Sequence, residues 1–327
     1  MTHNSFSIVI PVYNDLDYLK ICLDSCLKQD YTFYNIILVD SGSGKEIIEF
    51  YESILNPKIQ IYKTDKRFLI EDNWARILDI EKNDYFTILG QDDLLNENYL
   101  LEMNELINKH PSATLYQTHF EFIDKDGLFI KSCKPMAKKE FGFQFLESQM
   151  RKSIDSTATG YMIRSIDYKK LGGISPNYPN LIYADFELWV KLSSLNYKAT
   201  SAKSCFKYRI HNSVSKLTNG EAYSKAFEKY IHFIISLFGN EDVKKVVNNY
   251  GHKFLMDNCE GLSHRILKTR YEKRNIKAKY FIDNCEKLAK LFIPNIKFNA
   301  RHKIKIIAAE ILDSNIVSRN IFQFFRK

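Results

Sequence analysis

The chain has 327 residues, 45% of them apolar and 26% charged, with a formal net charge of +8. That length supports one large domain or two modest ones, and the composition is that of a soluble globular protein. No stretch reaches the roughly 18 uncharged apolar residues of a membrane span, and Met1-Thr2-His3-Asn4-Ser5 runs into a strand pattern without a basic leader or cleavage site, so a cytoplasmic location is expected. In chain order, the apolar run 6–12 predicts a buried strand. The stretch 16–29, with Leu16, Leu19, Leu23 and Leu27 on one face, predicts a helix, and 36–39 a second buried strand. Helix 45–55, strand 58–62, helix 72–80 and strand 85–89 follow. Strands alternating with helices of this length imply a mostly parallel sheet wound by right-handed crossovers. The order then loosens into strands at 114–122 and 128–131 around a turn at Asp124-Lys125-Asp126-Gly127, a helix at 141–150 and strands at 158–164 and 205–208.

From Leu217 onward the chain is mainly helical and carries 21 Lys+Arg against 11 Asp+Glu, a net of +10, which leaves −2 for the first 216 residues. This charge split and the change of pattern near Thr218-Asn219-Gly220 place a domain boundary there, dividing 1–216 from 217–327. Six cysteines (22, 26, 133, 205, 259, 285) form no C-x-x-C pair and read as reduced, buried thiols.

Gln91-Asp92-Asp93 stands directly behind the run Tyr85-Phe86-Thr87-Ile88-Leu89. Ligands in open α/β sheets gather at the carboxyl ends of strands, where adjacent aspartates can hold a hard divalent cation against a diphosphate. The competing reading is an ordinary turn whose aspartates cap a helix at 96–109.

Four further segments accompany the pair: Ser7-Ile8-Val9-Ile10-Pro11-Val12-Tyr13-Asn14, Val39-Asp40-Ser41-Gly42-Ser43, Ala184-Asp185-Phe186-Glu187-Leu188-Trp189 and Tyr208-Arg209-Ile210-His211-Asn212-Ser213. With Leu89-Gly90-Gln91-Asp92-Asp93-Leu94 between them, and in this order, residues 7–215 resemble the family 2 glycosyltransferases, the inverting nucleotide-sugar transferases of the GT-A fold. The resemblance implies a Rossmann-like central sheet and a nucleotide-binding turn at Pro11 and Tyr13. It implies donor contacts from Asp40, Ser41, Arg67 and Asp92, and Mn²⁺ or Mg²⁺ at Asp92 and Asp93. Asp185 falls at the position of the general base that takes the acceptor hydroxyl's proton in a direct displacement. Glu187, two residues on, points to another side of the same helix. It, Arg209 and His211 are candidates for diphosphate or acceptor contacts, and Asp155 and Tyr161 for the acceptor side. Trp74 and Trp189 are read as packing residues.

Two departures from the family pattern matter. Gly90 stands where many relatives place a first aspartate, so one or two protein ligands to the metal are expected, with phosphate and water completing the shell. Ser41 stands where uracil-reading relatives often have an aspartate. A UDP-sugar is favoured as donor, with thymidine and guanosine diphosphate sugars left open, and the acceptor class implied is a glycan or lipid-linked saccharide of surface polysaccharide biosynthesis. The competing class is an inactive nucleotide-sugar-binding or scaffold protein of the same fold.

The basic tail, including Lys268-Thr269-Arg270-Tyr271-Glu272-Lys273-Arg274-Asn275-Ile276-Lys277-Ala278-Lys279, has two readings. One is a set of helices lying on an anionic membrane surface, which would make the protein peripheral on the inner face. The other is a helical domain with a solvated basic face that serves a homo-oligomer contact. No nucleic-acid-binding module is recognised.

Overall fold

The computed structural model describes residues 3–211, 219–270 and 274–324, so the boundary expected at 216/217 lies outside the described residues, as do Asn212, Ser213 and Lys273. The chain divides into two compact units. The first comprises Met1–Phe145, Ser153–Asn177 and Ala184–Ser213; the second comprises Leu146–Lys152, Tyr178–Tyr183 and Val214–Lys327.

The first unit is built on one ten-stranded sheet: β1 (Phe6–Val12), β2 (Tyr34–Asp40), β3 (Ile59–Tyr62), β4 (Tyr85–Ile88), β5 (Leu94–Leu95), β6 (Leu115–Ile123), β7 (Phe129–Ser132), β8 (Lys139–Glu140), β9 (Tyr161–Arg164) and β10 (Lys198–Arg209). Their order is β3-β2-β1-β4-β9-β6-β10-β5, with β7 on β6 and β8 on β10. The β3/β2, β2/β1, β1/β4 and β6/β10 pairs are parallel, and antiparallel β9 bridges β4 to β6. β3, β2, β1, β4, β6 and β10 therefore all run the same way, as the mostly parallel expectation requires. Phe6, Ile8, Val9, Ile10, Ile36, Ile37 and Leu38 are fully buried, which explains why β1 and β2 are apolar on both faces.

Around the sheet lie α1 (Leu16–Leu27), α2 (Lys45–Ser53), α3 (Ile70–Ala75), α4 (Tyr99–Lys109), α5 (Gly142–Arg151), which runs on into the second unit, α6 (Ser165–Lys170) and α7 (Ala184–Leu195). The helix expected over 72–80 is shorter and passes into a 3₁₀ turn at Arg76–Leu78. The last strand is longer than the expected 205–208, because the polar stretch from Lys198 is held by β6 with register shifts between Ser201 and Phe206.

Parallel direction has one decisive consequence for position. The C-terminal ends of β1, β2, β4, β6 and β10 all reach the same edge of the sheet, so the turns that follow them share a rim. β1 lies between β2 and β4, where the order of strands reverses, the place at which open α/β sheets form a crevice.

The second unit is helical, as expected for the C-terminal region: α8 (Gly220–Ser236), α9 (Glu241–Lys268), α10 (Ala278–Phe292), α11 (Ile304–Ser314) and α12 (Ile316–Phe324). Asn219 caps α8 by accepting from the Ala222 amide at 2.8 Å, and Asn240 caps α9 by accepting from Asp242 at 2.8 Å. Arg274, one of the cations expected to face a membrane, is instead buried and bidentate to Asp313, which also accepts from the Ala278 amide at 2.7 Å. Arg319 lies beside the same carboxylate at 3.5 Å. All six cysteines are buried thiols.

Candidate functional site

The first wall of the rim is the turn after β1. Val9 accepts from the Leu89 amide on the β4 side, so Pro11, two residues on, also faces that side, beyond the last β1/β4 pair at Val9 and Ile88. Its missing N–H falls where no ladder partner remains. Asn14 and Asp15 then turn the chain through left-handed φ values of 51° and 56°, and Asp15 caps α1 by accepting from Tyr18. The Asn14 carboxamide accepts from the Gly44 amide at 2.9 Å, which ties this turn to the one after β2.

In that second turn Asp40 is fully buried. Its Oδ2 accepts from the Gly42 and Ser43 amides at 2.8 and 3.1 Å, and its Oδ1 from the Tyr51 hydroxyl at 3.2 Å. A direct contact with a donor would require these bonds to be given up; as placed, the carboxylate shapes the turn. The Ser41 hydroxyl donates to the Phe68 carbonyl at 3.0 Å, which leaves its oxygen only as an acceptor. Gly42 has φ of 74°, and a Cβ there would lie 2.7 Å from the Lys66 carbonyl oxygen and 2.8 Å from the Arg67 nitrogen. This close approach brings Arg67 to Tyr13: the exposed guanidinium sits 4.6 Å from the centre of the half-exposed ring, a flat cationic-aromatic face. Asn73 and Arg76 hold the end of β2 from below, donating to the Val39 and Asp40 carbonyls at 3.0 and 2.7 Å.

The aspartate pair follows β4 and divides its work. Asp93 is buried: Oδ2 accepts from the Thr159 hydroxyl at 2.6 Å and Oδ1 from the Arg209 amide at 2.9 Å. Burial and the neighbouring Asp92 push its carboxyl well above the usual carboxylate range. Asp92 is half-buried, with Oδ2 at 2.5 Å from His211 Nε2, and this hydrogen bond raises the imidazole above its ordinary value. Any side chain at 90 would collide with both carboxylates, since a Cβ there would lie 2.7 Å from Asp92 Oδ1 and 2.9 Å from Asp93 Oδ2. A side chain at 90 therefore requires the two carboxylates to shift from this arrangement. Gln91 clamps the pair to the β1 turn, its carboxamide accepting from the Tyr13 amide at 2.8 Å and donating to the Asn14 carbonyl at 2.9 Å.

Arg209 and His211 arrive at the end of β10. Arg209 is buried, and its guanidinium donates to the carbonyls of Asp92 at 2.7 Å, Asp124 at 2.9 Å and Lys125 at 3.0 Å while lying over the Tyr18 ring. Those donors knit the rim together, and a contact of the Arg209 guanidinium with a diphosphate through them would need them released. His211, edge-on to Tyr18 at 5.4 Å, presents its ring beside Asp92.

Asp185 opens α7, half-buried. Desolvation raises its carboxyl to about 7 against the lowering effect of hydrogen bonds from the Phe186 amide and its own. One helical turn on, Trp189 donates from Nε1 to the Thr157 carbonyl at 3.0 Å. The Thr157 hydroxyl donates to the Thr159 carbonyl at 2.8 Å, and Thr159 holds Asp93. A continuous hydrogen-bonded path thus links the helix of Asp185 to the aspartate pair. Glu187 is buried and paired with Lys191 on the same helix. Tyr161, expected on the acceptor side, is 1% exposed and stacks on Trp189 at 4.3 Å, so it belongs to the core with both tryptophans. Asp155 accepts from the Lys134 amide at 2.9 Å. Gln91, Asn73, Arg76, Thr157 and Thr159 organise the site without any local sequence signal, because each acts on a segment distant in the chain.

Among the described residues no group of three or more His, Cys, Asp or Glu could hold a metal ion, and no helix is long and apolar enough to cross a membrane. Asp92 and His211 bring together a carboxylate oxygen and an imidazole nitrogen, which can share a cation once the hydrogen bond between them is given up.

The profile of Glycosyl transferase family 2 matches residues 7–165. Glycosyltransferase GlyG of Streptococcus pneumoniae serotype 4 is 26% identical over 139 residues, 38% of this chain and 42% of that protein. An uncharacterized glycosyltransferase of Rickettsia typhi is 26% identical over 255 residues, 77% of each. The chain thus spans less than half of the first relative's length and about three quarters of the second's. Among solved structures, Staphylococcus aureus TarS in complex with UDP-GlcNAc matches with a TM-score of 0.61 at 13% identity, over 95% of this chain and 90% of that one. Mannosyltransferase PcManGT from Pyrobaculum calidifontis in complex with GDP-Man and Mn²⁺ matches with a TM-score of 0.54 at 13% identity, over 100% of this chain and 88% of that one. These likenesses carry the fold, which is GT-A. Residues 7–165 are thus similar to glycosyl transferase family 2.

Proposed function

We propose that the protein is an inverting glycosyltransferase whose catalytic domain is residues 1–216, moving a hexosyl group from a nucleoside-diphosphate sugar to a hydroxyl of a glycan or lipid-linked saccharide. The observation that carries this reading is the opposed environment of two adjacent carboxylates: Asp93 buried and fully hydrogen-bonded, Asp92 held at the rim against His211. Asp93 fixes the loop so that Asp92 and His211 can face the donor's diphosphate. Both would serve as the protein's ligands to Mn²⁺ or Mg²⁺, the rest of the shell falling to phosphate and water; such a cation neutralises the charge of the departing diphosphate. Asp93 supports that site from behind. Tyr13 and Arg67 form the face on which a base can lie, with the Ser41 oxygen as an acceptor for a base N–H and Asp40 keeping the turn in shape. A UDP-sugar is the favoured donor, in keeping with the UDP-GlcNAc complex of TarS.

Asp185 is the base. With its carboxyl raised to about 7, roughly half of it is ionised at neutral pH, and the ionised form is basic enough to take a hydroxyl proton as the new bond forms. Glu187, Arg209 and Pro11 act by holding geometry. We place the work on the cytoplasmic side, in surface polysaccharide assembly, with residues 217–327 facing an anionic membrane. The test is a screen of nucleotide sugars for metal-dependent release of nucleoside diphosphate, with Asp185→Asn alongside. Release that depends on divalent metal and on Asp92 supports the reading. Absence of release with every donor and acceptor, with nucleotide still bound, would return the chain to a nucleotide-sugar-binding scaffold.

A further inference from the structure

The last two helices bury one face and leave the other to water, and the outer face is apolar. In α11 Ile306, Ala309 and Asp313 are buried, while Ile304, Ile307 and Ile311, spaced three and four apart, lie on the opposite face. In α12 Ile316, Val317 and Ile321 are exposed while Arg319 is buried. These six side chains are between 37% and 83% exposed, within a segment of under twenty residues. An ordinary amphipathic helix carries charges there, and contiguous exposed apolar surface marks a contact site.

The charge carried by the preceding segment says what covers it. A groove of about 590 Å³ just before α11 in the chain is lined by Asp283, Glu286, Lys287, Lys290, Lys297 and Phe298, among others. Its two carboxylates are already neutralised: Asp283 pairs with Lys279 and Arg301 at 2.6 Å each, and Glu286 with Arg301 at 3.1 Å. Among the described residues Lys287, Lys290 and Lys297 make no ion pair, so the groove is left with three uncompensated cations. Lys303 and Lys305 add charge at the start of α11, and Lys305 is still 74% exposed at its side chain while paired with Glu260. A second copy of the chain would bring the same positive charges to the same place. An anionic lipid surface complements both the cations and the apolar face.

Resting on the membrane-facing reading of residues 217–327, we infer that α11 and α12 lie in the plane of an anionic bilayer with Ile304, Ile307, Ile311, Val317 and Ile321 inserted, and with Lys287, Lys290 and Lys297 on lipid phosphates. The contact is therefore made by an apolar face with flanking lysines, and not by the stretch around Arg274, which is buried against Asp313, or Lys279, which is paired with Asp283. Inserted isoleucines hold on through burial of apolar area, which salt does not screen, whereas lysine attraction fades as the Debye length falls from about 10 Å at 0.1 M to about 3 Å at 1 M.

The experiment is co-sedimentation of the full chain with phosphatidylcholine vesicles, with and without phosphatidylglycerol, at about 0.1 and 1 M salt. The parental protein should bind the anionic vesicles and keep part of that binding at high salt. Ile304→Ser/Ile307→Ser/Ile311→Ser should bind at least about tenfold more weakly at both salts. Lys287→Gln/Lys290→Gln/Lys297→Gln should bind more weakly than the parental protein at low salt, keeping only the salt-independent part, and match it at high salt. Circular dichroism checks that helix content is unchanged, as expected for substitutions at exposed positions. If the serine variant, folded, binds as the parental protein does, insertion is overturned and a purely electrostatic tail remains. If the parental protein binds no vesicle, the membrane-facing reading falls with it. Concentration-dependent dimers that the serine variant abolishes, without vesicle binding, would assign the face to a second copy and overturn the proposal.

Discussion

At the rim of the sheet, charged side chains are drawn inward and matched bond for bond, whereas along α11 and α12 apolar side chains are left outside. Asp40, Asp93 and Arg209 are at most 4% exposed; Ile304, Ile311 and Val317 are at least 61%. Each arrangement costs free energy in isolation. A buried charge is tolerated when hydrogen-bond partners surround it, as they do for Asp40 and Arg209, whereas burial raises the Asp93 carboxyl. An exposed apolar face has no such internal repayment and implies a partner outside the chain. On the readings proposed above, the first region carries the chemistry and the second the attachment.

The largest expected effect comes from breaking the buried ion pairs that Asp313 makes in the second unit. Asp313→Ala leaves Arg274 and Arg319 buried without their carboxylate and should cost about 3–5 kcal/mol, read as loss of helical signal and a lower midpoint in urea. A cost below about 1 kcal/mol would mean that the outer helices do not depend on this pair, and the comparison would lose its second half.

Next comes the proposed base. Asp185→Asn should lower the transfer rate by roughly 10² or more while leaving donor affinity nearly intact. Because desolvation raises the Asp185 carboxyl to about 7, the ionised, active form is lost as pH falls. The logarithm of the transfer rate should climb with unit slope below pH about 7 and level off above it, and the residual rate of Asp185→Asn should lack that inflection. Equal loss of donor binding and rate would mark Asp185 as structural.

A smaller effect is expected at Gly90. Gly90→Ala puts a methyl group 2.7 Å from Asp92 Oδ1 and 2.9 Å from Asp93 Oδ2. Such overpacking costs about 1–3 kcal/mol and should weaken metal-dependent nucleotide binding by about tenfold. Titration of the variant with nucleotide in Mn²⁺ and in EDTA separates this from a general loss of fold; an unchanged difference between the two would show that the pair has room to move. The smallest is Gln91→Ala, which removes the clamp on the β1 turn and should cost about 1 kcal/mol of thermal stability.

Much of this was legible in the chain because its signals are local. The unbroken apolar runs of β1 and β2 announce strands buried on both faces, and Asp92, Asp93 and Asp185 stand in motifs short enough to read directly. The direction of β9 was not legible, since alternation of residues says nothing of which way a strand is laid between its neighbours. Nor was the strand character of Lys198 to Ser204, a polar stretch that pairing with β6 makes extended. Adjacent aspartates also look alike in sequence. Only the approach of Thr159, 66 residues away, and of Arg209, 116 residues away, buries one and leaves the other to His211.

The sequence by itself therefore determined the α/β class, the strand-end placement of the carboxylates, the helical and basic character of the C-terminal region and the family resemblance, because composition and periodicity act on neighbouring residues. The tertiary structure alone decided which carboxylate is buried, how closely residue 90 approaches both carboxylates, that Asp40 and Arg209 are bound to backbone, that Arg274 is sealed against Asp313, and which helix faces stay apolar in water. Those outcomes depend on burial and on partners brought together across the chain, and a carboxylate's role is set by what surrounds it.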